Sequence, residues 1–518
     1  MPKEQLRTFH VAGRGLDELR PKGRLQPVLT DGVKAAISPP EAVYPVVLEP
    51  GKPPRPAAGS VSTRGCLAGF SADSLLPIYA AFLALERAGA REKFLAELKQ
   101  CVAHLQNLLS VDNAKRTPVS AETLAASLGA DASRFLAVPQ LLEVFHRQVN
   151  AGPLMEDVRR KRCEEALVVL ETALVGLEDS PVFSVFTDCA EALLVCEQQL
   201  PEAARVLRAM RLARLEAVSA YDAGTHDEVL RRFDWQTAEP YEIAALPATV
   251  VMVPAEKLEI SGLSSFSRLM RSGMPVQILV PVTGLWSDHL AGSVTDIGAM
   301  ALAHRGTFVL QTSMARWEHL SNGLAEMART LFPGVAVVCV PDSSEAVTAA
   351  WQETILLSYT NAFPLYCYRP EREGAWSDRF ELIEPGQAFA SLTALDAVVA
   401  SPRFRDHFRV IPAGAEADDE MELHEYLSRY QSAPPLVVPY MTVTDSEGQP
   451  RRVAVTRELV HLCFDRGRAW EMLMTLAARP AGAVANPEPS VREGAAREAY
   501  LRVAALLADP ESLLRSSV

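Results

Sequence analysis

The chain has 518 residues, 48% of them hydrophobic and 22% charged, with a formal net charge of −13. That length is room for several domains with sizeable cores, at roughly one domain per 150 residues. The acidic balance argues against broad nucleic-acid binding, which needs a basic surface, and no apolar run approaches the ~20 residues that span a bilayer.

The first 58 residues are poor in periodicity and rich in proline, as in ISPPEAVYPVVLEPGKPPRP. They read as an extended arm, because a long helix does not survive that proline density. The start, MPKEQLRTFHVAGRG, lacks the charged-then-apolar layout of a signal peptide. A cytoplasmic protein is expected. The eight cysteines form no CxxC pair, and several sit in apolar contexts (LLVC, VVCV, LYCY). Buried free thiols are the simplest expectation for them.

From residue 59 to 236 the pattern is mainly helical. Leu95, Leu98, Val102 and Leu105 share one helix face, and Cys163, Ala166, Leu170, Ala173 and Leu177 share another. Ser120 is placed to cap a short helix. Arg205, Arg208, Arg211 and Arg214 recur every three residues. They suit either an anionic partner or a solvated face paired with nearby Glu.

From 237 to 412 the pattern alternates. ATVVMV, VQILVPV, TFVLQTS and VAVVCV read as strands, and FPLYCY as a short strand or an extended segment, separated by helical stretches. Gly273 is placed as a left-handed residue closing one helix. Strand alternating with helix predicts an α/β core with a parallel sheet flanked by helices. Residues 413–478 read as a hairpin with a turn at SEGQP, followed by a helix; residues 479–518 read as a linker and a last helix. The fold class expected is therefore α/β, with a large helical N-terminal portion and a small α+β C-terminal extension.

Within the core a run of motifs stands in order: Ser272-Gly273-Met274-Pro275, Asp296-Ile297-Gly298 with Met300-Ala301, Thr312-Ser313-Met314, Phe363-Pro364-Leu365-Tyr366 with Tyr368 and Pro370, and Phe380-Glu381-Leu382. Together they resemble the C-terminal thiamine diphosphate-binding domain of pyruvate:ferredoxin (flavodoxin) oxidoreductases, the 2-oxoacid:acceptor oxidoreductase family. The resemblance covers residues 262–382, and Gly65-Cys66 looks like a fainter trace of the family's cysteine motif.

The resemblance implies a thiamine diphosphate-type fold and a diphosphate held through Mg²⁺. It places Thr283, Trp286 and Ser287 in the cofactor loop, Asp288 at a metal-ligand position, and Gly292 as a stand-in for one of two glycines if the loop shifts by a residue. The same Asp288 also reads as a solvated loop residue. The family's other metal-binding turn falls on Pro254-Ala255-Glu256, where Ala255 carries no oxygen and Glu256 serves as a metal ligand only if the geometry is rebuilt around it. An iron–sulfur cluster is not expected, because Cys66 stands without a close partner cysteine. His289 and His304 suit acid–base roles, or are surface and helix-end histidines.

Two functions follow from the resemblance. One is a component of a larger 2-oxoacid oxidoreductase assembly with a degenerate cofactor site, in which protein partners or a second copy complete the site. The other is a scaffold or regulatory homologue that keeps the fold and binds no thiamine diphosphate.

Overall fold

The computed structural model describes residues 26–27, 72–116, 120–128, 137–149, 155–284, 286–287, 292–293, 296–342, 347–385, 392–411, 420–430, 437–445 and 447–478. Cys66, Asp288 and His289 lie outside the described residues, as does the last helix expected from the sequence. In chain order the elements begin with β1 (Gln26–Pro27), α1 (Ala72–Arg116), α2 (Ala121–Leu128), α3 (Val138–Val149), α4 (Asp157–Asp179), β2 (Phe183–Phe186), α5 (Cys189–Ala217), α6 (Ala223–Arg232) and α7 (Pro240–Ala245). The core follows with β3 (Ala248–Met252), α8 (Leu263–Ser272), β4 (Val276–Val282), β5 (Trp286–Ser287), β6 (Gly292–Ser293), α9 (Ile297–Leu302), β7 (Phe308–Ser313), α10 (Trp317–Arg329), β8 (Gly334–Cys339), α11 (Val347–Tyr359), β9 (Leu365–Tyr368), α12 (Trp376–Arg379) and β10 (Phe380–Ile383). The described chain closes with α13 (Ala394–Val398), β11 (Phe408–Val410), β12 (Glu420–Glu422), α14 (Leu423–Tyr430), β13 (Val438–Thr444), β14 (Pro450–Val455) and α15 (Arg457–Leu476). No helix among the described residues is long and apolar enough to cross a membrane.

The chain divides into two compact units, one drawn from Ala84–Ser184 and Leu193–Ala248, the other from Val185–Ala192 and Thr249–Leu513 with the N-terminal Met1–Leu83. The first is helical. Leu98, Val102 and Leu105 of α1 pack with Cys163, Ala166 and Leu170 of α4 and with Leu207 and Met210 of α5 in one apolar cluster. The helical spacing seen in the sequence is the spacing that fills this core.

Three carboxylates are buried with it, and each is satisfied by arginine. Asp112, fully buried, accepts from Arg116 Nε at 2.6 Å, Arg160 Nη1 at 2.9 Å and the Met155 amide at 3.2 Å. Glu216 accepts from Arg159 Nε at 2.6 Å and Arg162 Nη2 at 2.7 Å. Glu242 takes both Nη atoms of Arg211, at 3.0 and 2.8 Å. The arginine row of α5 is thus a set of intramolecular clamps: Arg205 pairs with Glu202, Arg211 with Glu242 and Arg214 with Glu97.

Burial pushes the Asp112 carboxyl up, but the hydrogen bonds from Arg116, Arg160 and Met155 outweigh it, so it titrates below the usual carboxylate range. A carboxylate depressed in the folded state adds stability above its unfolded pKa of about 3.9, and that stability is lost as the pH falls through the folded value. Asp112→Asn is therefore expected to lower stability by a constant amount from pH 7 to about 5. The difference from the parent should shrink below about pH 4, as read by urea unfolding at each pH. A difference that does not change with pH would show that the charge of Asp112 is not what matters.

The second unit holds a seven-stranded sheet in the order β10-β9-β7-β8-β4-β3-β2. β3, β4, β8 and β7 are parallel neighbours. Every residue of β4, β7 and β8 is buried, which is why these stretches read as continuous apolar runs rather than alternating ones. β9 and β10 are antiparallel, β9 to β7 and β10 to β9. That corrects an all-parallel reading of the FPLYCY strand. Gly273 ends α8 at φ 70°, the left-handed conformation expected of it.

The two faces are assigned by glycines. A Cβ on Gly298 of α9 would lie 2.2 Å from Tyr366 Oη and 2.4 Å from Gln311 Oε1, while one on Gly323 of α10 would lie 2.4 Å from Leu310 Cδ1. Leu310 and Gln311 are consecutive in β7 and point to opposite faces, so α9 and α10 cover opposite faces of the sheet. The chain steps from β4 across β8 to β7 and then back to β8. The β-α-β handedness rule sends these two crossovers to opposite faces. The strand order thus reverses between β7 and β8, a topological switch point.

A second sheet in the same unit has the order β1-β13-β14-β11, with β12 also on β13. β13 and β14 form the expected hairpin, and Gly448 in its turn adopts φ 77°.

Candidate functional site at the carboxyl edge of the sheet

In open α/β sheets ligands bind beyond the carboxyl ends of the strands. Four segments meet at that edge here. The ladder continues past each strand through hydrogen bonds from Val253 N to Leu279 O (3.0 Å), Val340 N to Val282 O (2.9 Å) and Met314 N to Cys339 O (3.0 Å). These bring Pro254-Ala255-Glu256, Thr283-Gly284, Ala315-Arg316 and Pro341-Asp342 to one side of the sheet.

Thr283 directly follows β4 and is partly buried. Ser287 and Gly292 are brought together as cross-strand partners in the small β5–β6 hairpin. Glu256 lies after β3 and is exposed. Thr283 and the turn holding Glu256 therefore share one edge, Ser287 and Gly292 pair in the hairpin that follows Thr283, and Asp288 falls outside the described residues. His304 does not join them. It sits before β7, at the other end of that strand, with Nε2 3.3 Å from Ser267 Oγ.

The turn after β3 is built for packing. Ala255 is 4% exposed. Pro254, the residue before it, caps the helical turn Ala255–Lys257 and has no amide hydrogen to offer an anion. The turn then widens through a π-helical turn, Leu258–Gly262, into α8. Lys257 Nζ donates to Thr187 O at 2.9 Å. A diphosphate bound through a divalent cation needs oxygen ligands and free backbone amides. The Ala255 side chain supplies no oxygen, Pro254 no amide hydrogen, and the Glu256 carboxylate beside them is exposed. The described half of the donor set lacks a ligand oxygen at Ala255 and an amide at Pro254. No cluster of three or more His, Cys, Asp or Glu with metal-site geometry occurs among the described residues.

Sequence reasoning missed Asp342, Arg403 and Arg466 at this edge. Asp342, at the end of β8, forms an ion pair with Arg403, whose Nη1 also lies 3.5 Å from Thr283 O. Asp296 caps α9 through Ala299 N at 2.9 Å and faces Arg466 Nη1 at 3.9 Å. An Asp three residues after a buried apolar strand was a usable signal for Asp342. Nothing in the local pattern of SPRFRDHF marked Arg403.

A buried polar cluster lies under α10 on the sheet. His319 Nδ1 is 2.9 Å from Thr312 Oγ1, and its Nε2 is buried with no hydrogen-bond partner among the described residues. Beyond it Arg369 binds Glu326 at 2.5 Å and Glu381 at 2.7 Å. Burial pulls the His319 imidazole down to about 4, against the opposing pull of Glu381. The unfolded chain, with a histidine pKa near 6.5, binds the proton more readily. Stability carried by neutral His319 is complete above about pH 6.5 and falls as the pH drops toward 4. His319→Gln is expected to flatten the loss of stability between those pH values, measured by urea unfolding; an unchanged slope would contradict this.

The seven described cysteines are buried and free. Burial raises the thiols of Cys163 to about 11 and of Cys189 and Cys463 to about 12. These sites do not favour the thiolate, the form that ligates metal.

No protein-family model matches this chain, and no curated protein matches it.

Proposed function

We propose that this chain is a non-catalytic relative of the thiamine diphosphate-binding domain of 2-oxoacid oxidoreductases, acting as a component of a larger assembly. The observation that carries this is the turn Pro254-Ala255-Glu256. It stands at the carboxyl edge, where a diphosphate and its cation would be gripped, and offers a buried methyl and a missing amide. The motifs that resemble the family serve packing: Gly298 makes room for Tyr366, and Gly273 closes α8. A chain that keeps the sheet and loses the grip suits a scaffold or regulatory subunit better than a catalytic one.

Calorimetric titration with thiamine diphosphate and Mg²⁺, on the chain alone and with any co-purifying protein, tests the proposal. The expected result is no saturable heat in either preparation. Saturable binding that Asp288→Ala abolishes would establish the competing reading, an active cofactor-binding component completed by a partner.

A further inference from the structure

The second sheet ends at an edge that the chain closes with two short pieces. β14 runs along one side of β13 and pairs with residues 440–444. The other side is shared. β12 lies parallel there, with Glu420 opposite Val438 and Glu422 opposite Tyr440. β1 lies antiparallel, with Gln26 opposite Thr444 and Pro27 opposite Val443. Met441 and Thr442 have no strand partner on this side among the described residues.

β1 is a weak closure. It has two residues, and Pro27 has no amide hydrogen, so Gln26 is its one backbone donor. The edge beneath it is built for pairing. Met441 and Val443 are buried on the inner face, and Thr442 and Thr444 alternate with them on the outer face. Residues 440–444 contain no proline, so every amide of this edge is present. An edge rich in β-branched residues with so little cover is a template for another strand.

We propose that the outer edge of β13 is an interface for a second copy of this chain, and that β1 is the plug that keeps it closed. Two such edges meet antiparallel about a two-fold axis, so the same patch serves both copies. The register centred on Val443 sets Thr442 of each copy opposite Thr444 of the other. It keeps inner and outer faces continuous across both sheets and leaves β12 on Tyr440. The interface stands whether or not the carboxyl edge of the other sheet binds thiamine diphosphate.

Analytical ultracentrifugation of the full chain provides the test. Gln26→Pro removes the one amide of β1, and this variant is expected to reach twice the parent's mass as its concentration rises. A synthetic peptide of residues 21–32 in excess refills the edge and should return it to the parent's mass. Adding Thr442→Glu/Thr444→Glu to Gln26→Pro sets like charges opposite each other and should abolish the doubling. Mixing that chain with one carrying Thr442→Lys/Thr444→Lys in the same background should restore it. A Gln26→Pro chain that keeps the parent's mass overturns the proposal, as does a doubling that survives the two glutamates. If the glutamates disturb the fold, as read by circular dichroism, the peptide decides: a doubled mass that it leaves unmoved overturns the proposal.

Discussion

Gly298→Ala is expected to destabilise the α/β unit by about 3 kcal/mol, at the upper end of the cost of overpacking a core. The added methyl would lie 2.2 Å from Tyr366 Oη and 2.4 Å from Gln311 Oε1, far inside contact distance. Neither group yields easily. Tyr366 is fully buried, and its hydroxyl donates to Gln311 Oε1 at 3.3 Å. The Gln311 amide is committed to Pro364 O at 2.9 Å. Moving either side chain breaks a buried hydrogen bond, which adds to the steric cost. Tyr366→Phe removes one of the two clashing atoms. The double variant Gly298→Ala/Tyr366→Phe should therefore lose less stability than the sum of the single changes, as a double-mutant cycle by urea unfolding will show. Additive losses would mean that Gly298 does not owe its place to Tyr366.

Glu216→Ala is expected to cost about 3 kcal/mol in the helical unit, because removing one partner of a buried ion pair strands the other. Glu216 is 1% exposed and receives both Arg159 and Arg162. Two guanidiniums would lose their counter-charge at once. Each is about a quarter exposed, at 27% and 24%, so water relieves part of the penalty and keeps the cost near the low end of the range. Glu216→Gln keeps the shape and one acceptor, and is expected to recover a part of the loss. Equilibrium unfolding read by far-ultraviolet circular dichroism measures both; a loss under 1 kcal/mol for the alanine variant would contradict the burial argument.

The α/β core was legible because its physics is local. β4, β7 and β8 are apolar along their whole length, and the helices between them carry the 3.6-residue period. Gly273 and Ser120 behaved as their types suggest, the first by its left-handed conformation and the second by accepting the Thr123 amide at 3.1 Å. β2 was not legible. Its four residues, FSVF, sit between two long helices and find partners only through sheet pairing. The antiparallel direction of β9 was hidden for the same reason, since strand direction is set by the path of the chain and not by the residues of the strand.

The carboxyl edge was half legible. The order of the motifs put Thr283, Ser287 and Gly292 in one loop and Glu256 in the turn after β3, and the structure brings Thr283 and the Glu256 turn to this edge. The ion pairs of Arg403 and Arg466 join residues separated by more than 60 positions, from Asp342 to Arg403 and from Asp296 to Arg466. Such pairs leave no periodic trace.

We propose that the turn after β3 does not share a divalent cation with a diphosphate. The most direct measurement is a titration with Mn²⁺ followed by electron paramagnetic resonance of the free ion, with and without thiamine diphosphate. The account predicts no protein-bound Mn²⁺ that depends on thiamine diphosphate. One Mn²⁺ per chain that appears only with thiamine diphosphate, and is lost in Asp288→Ala, would contradict it.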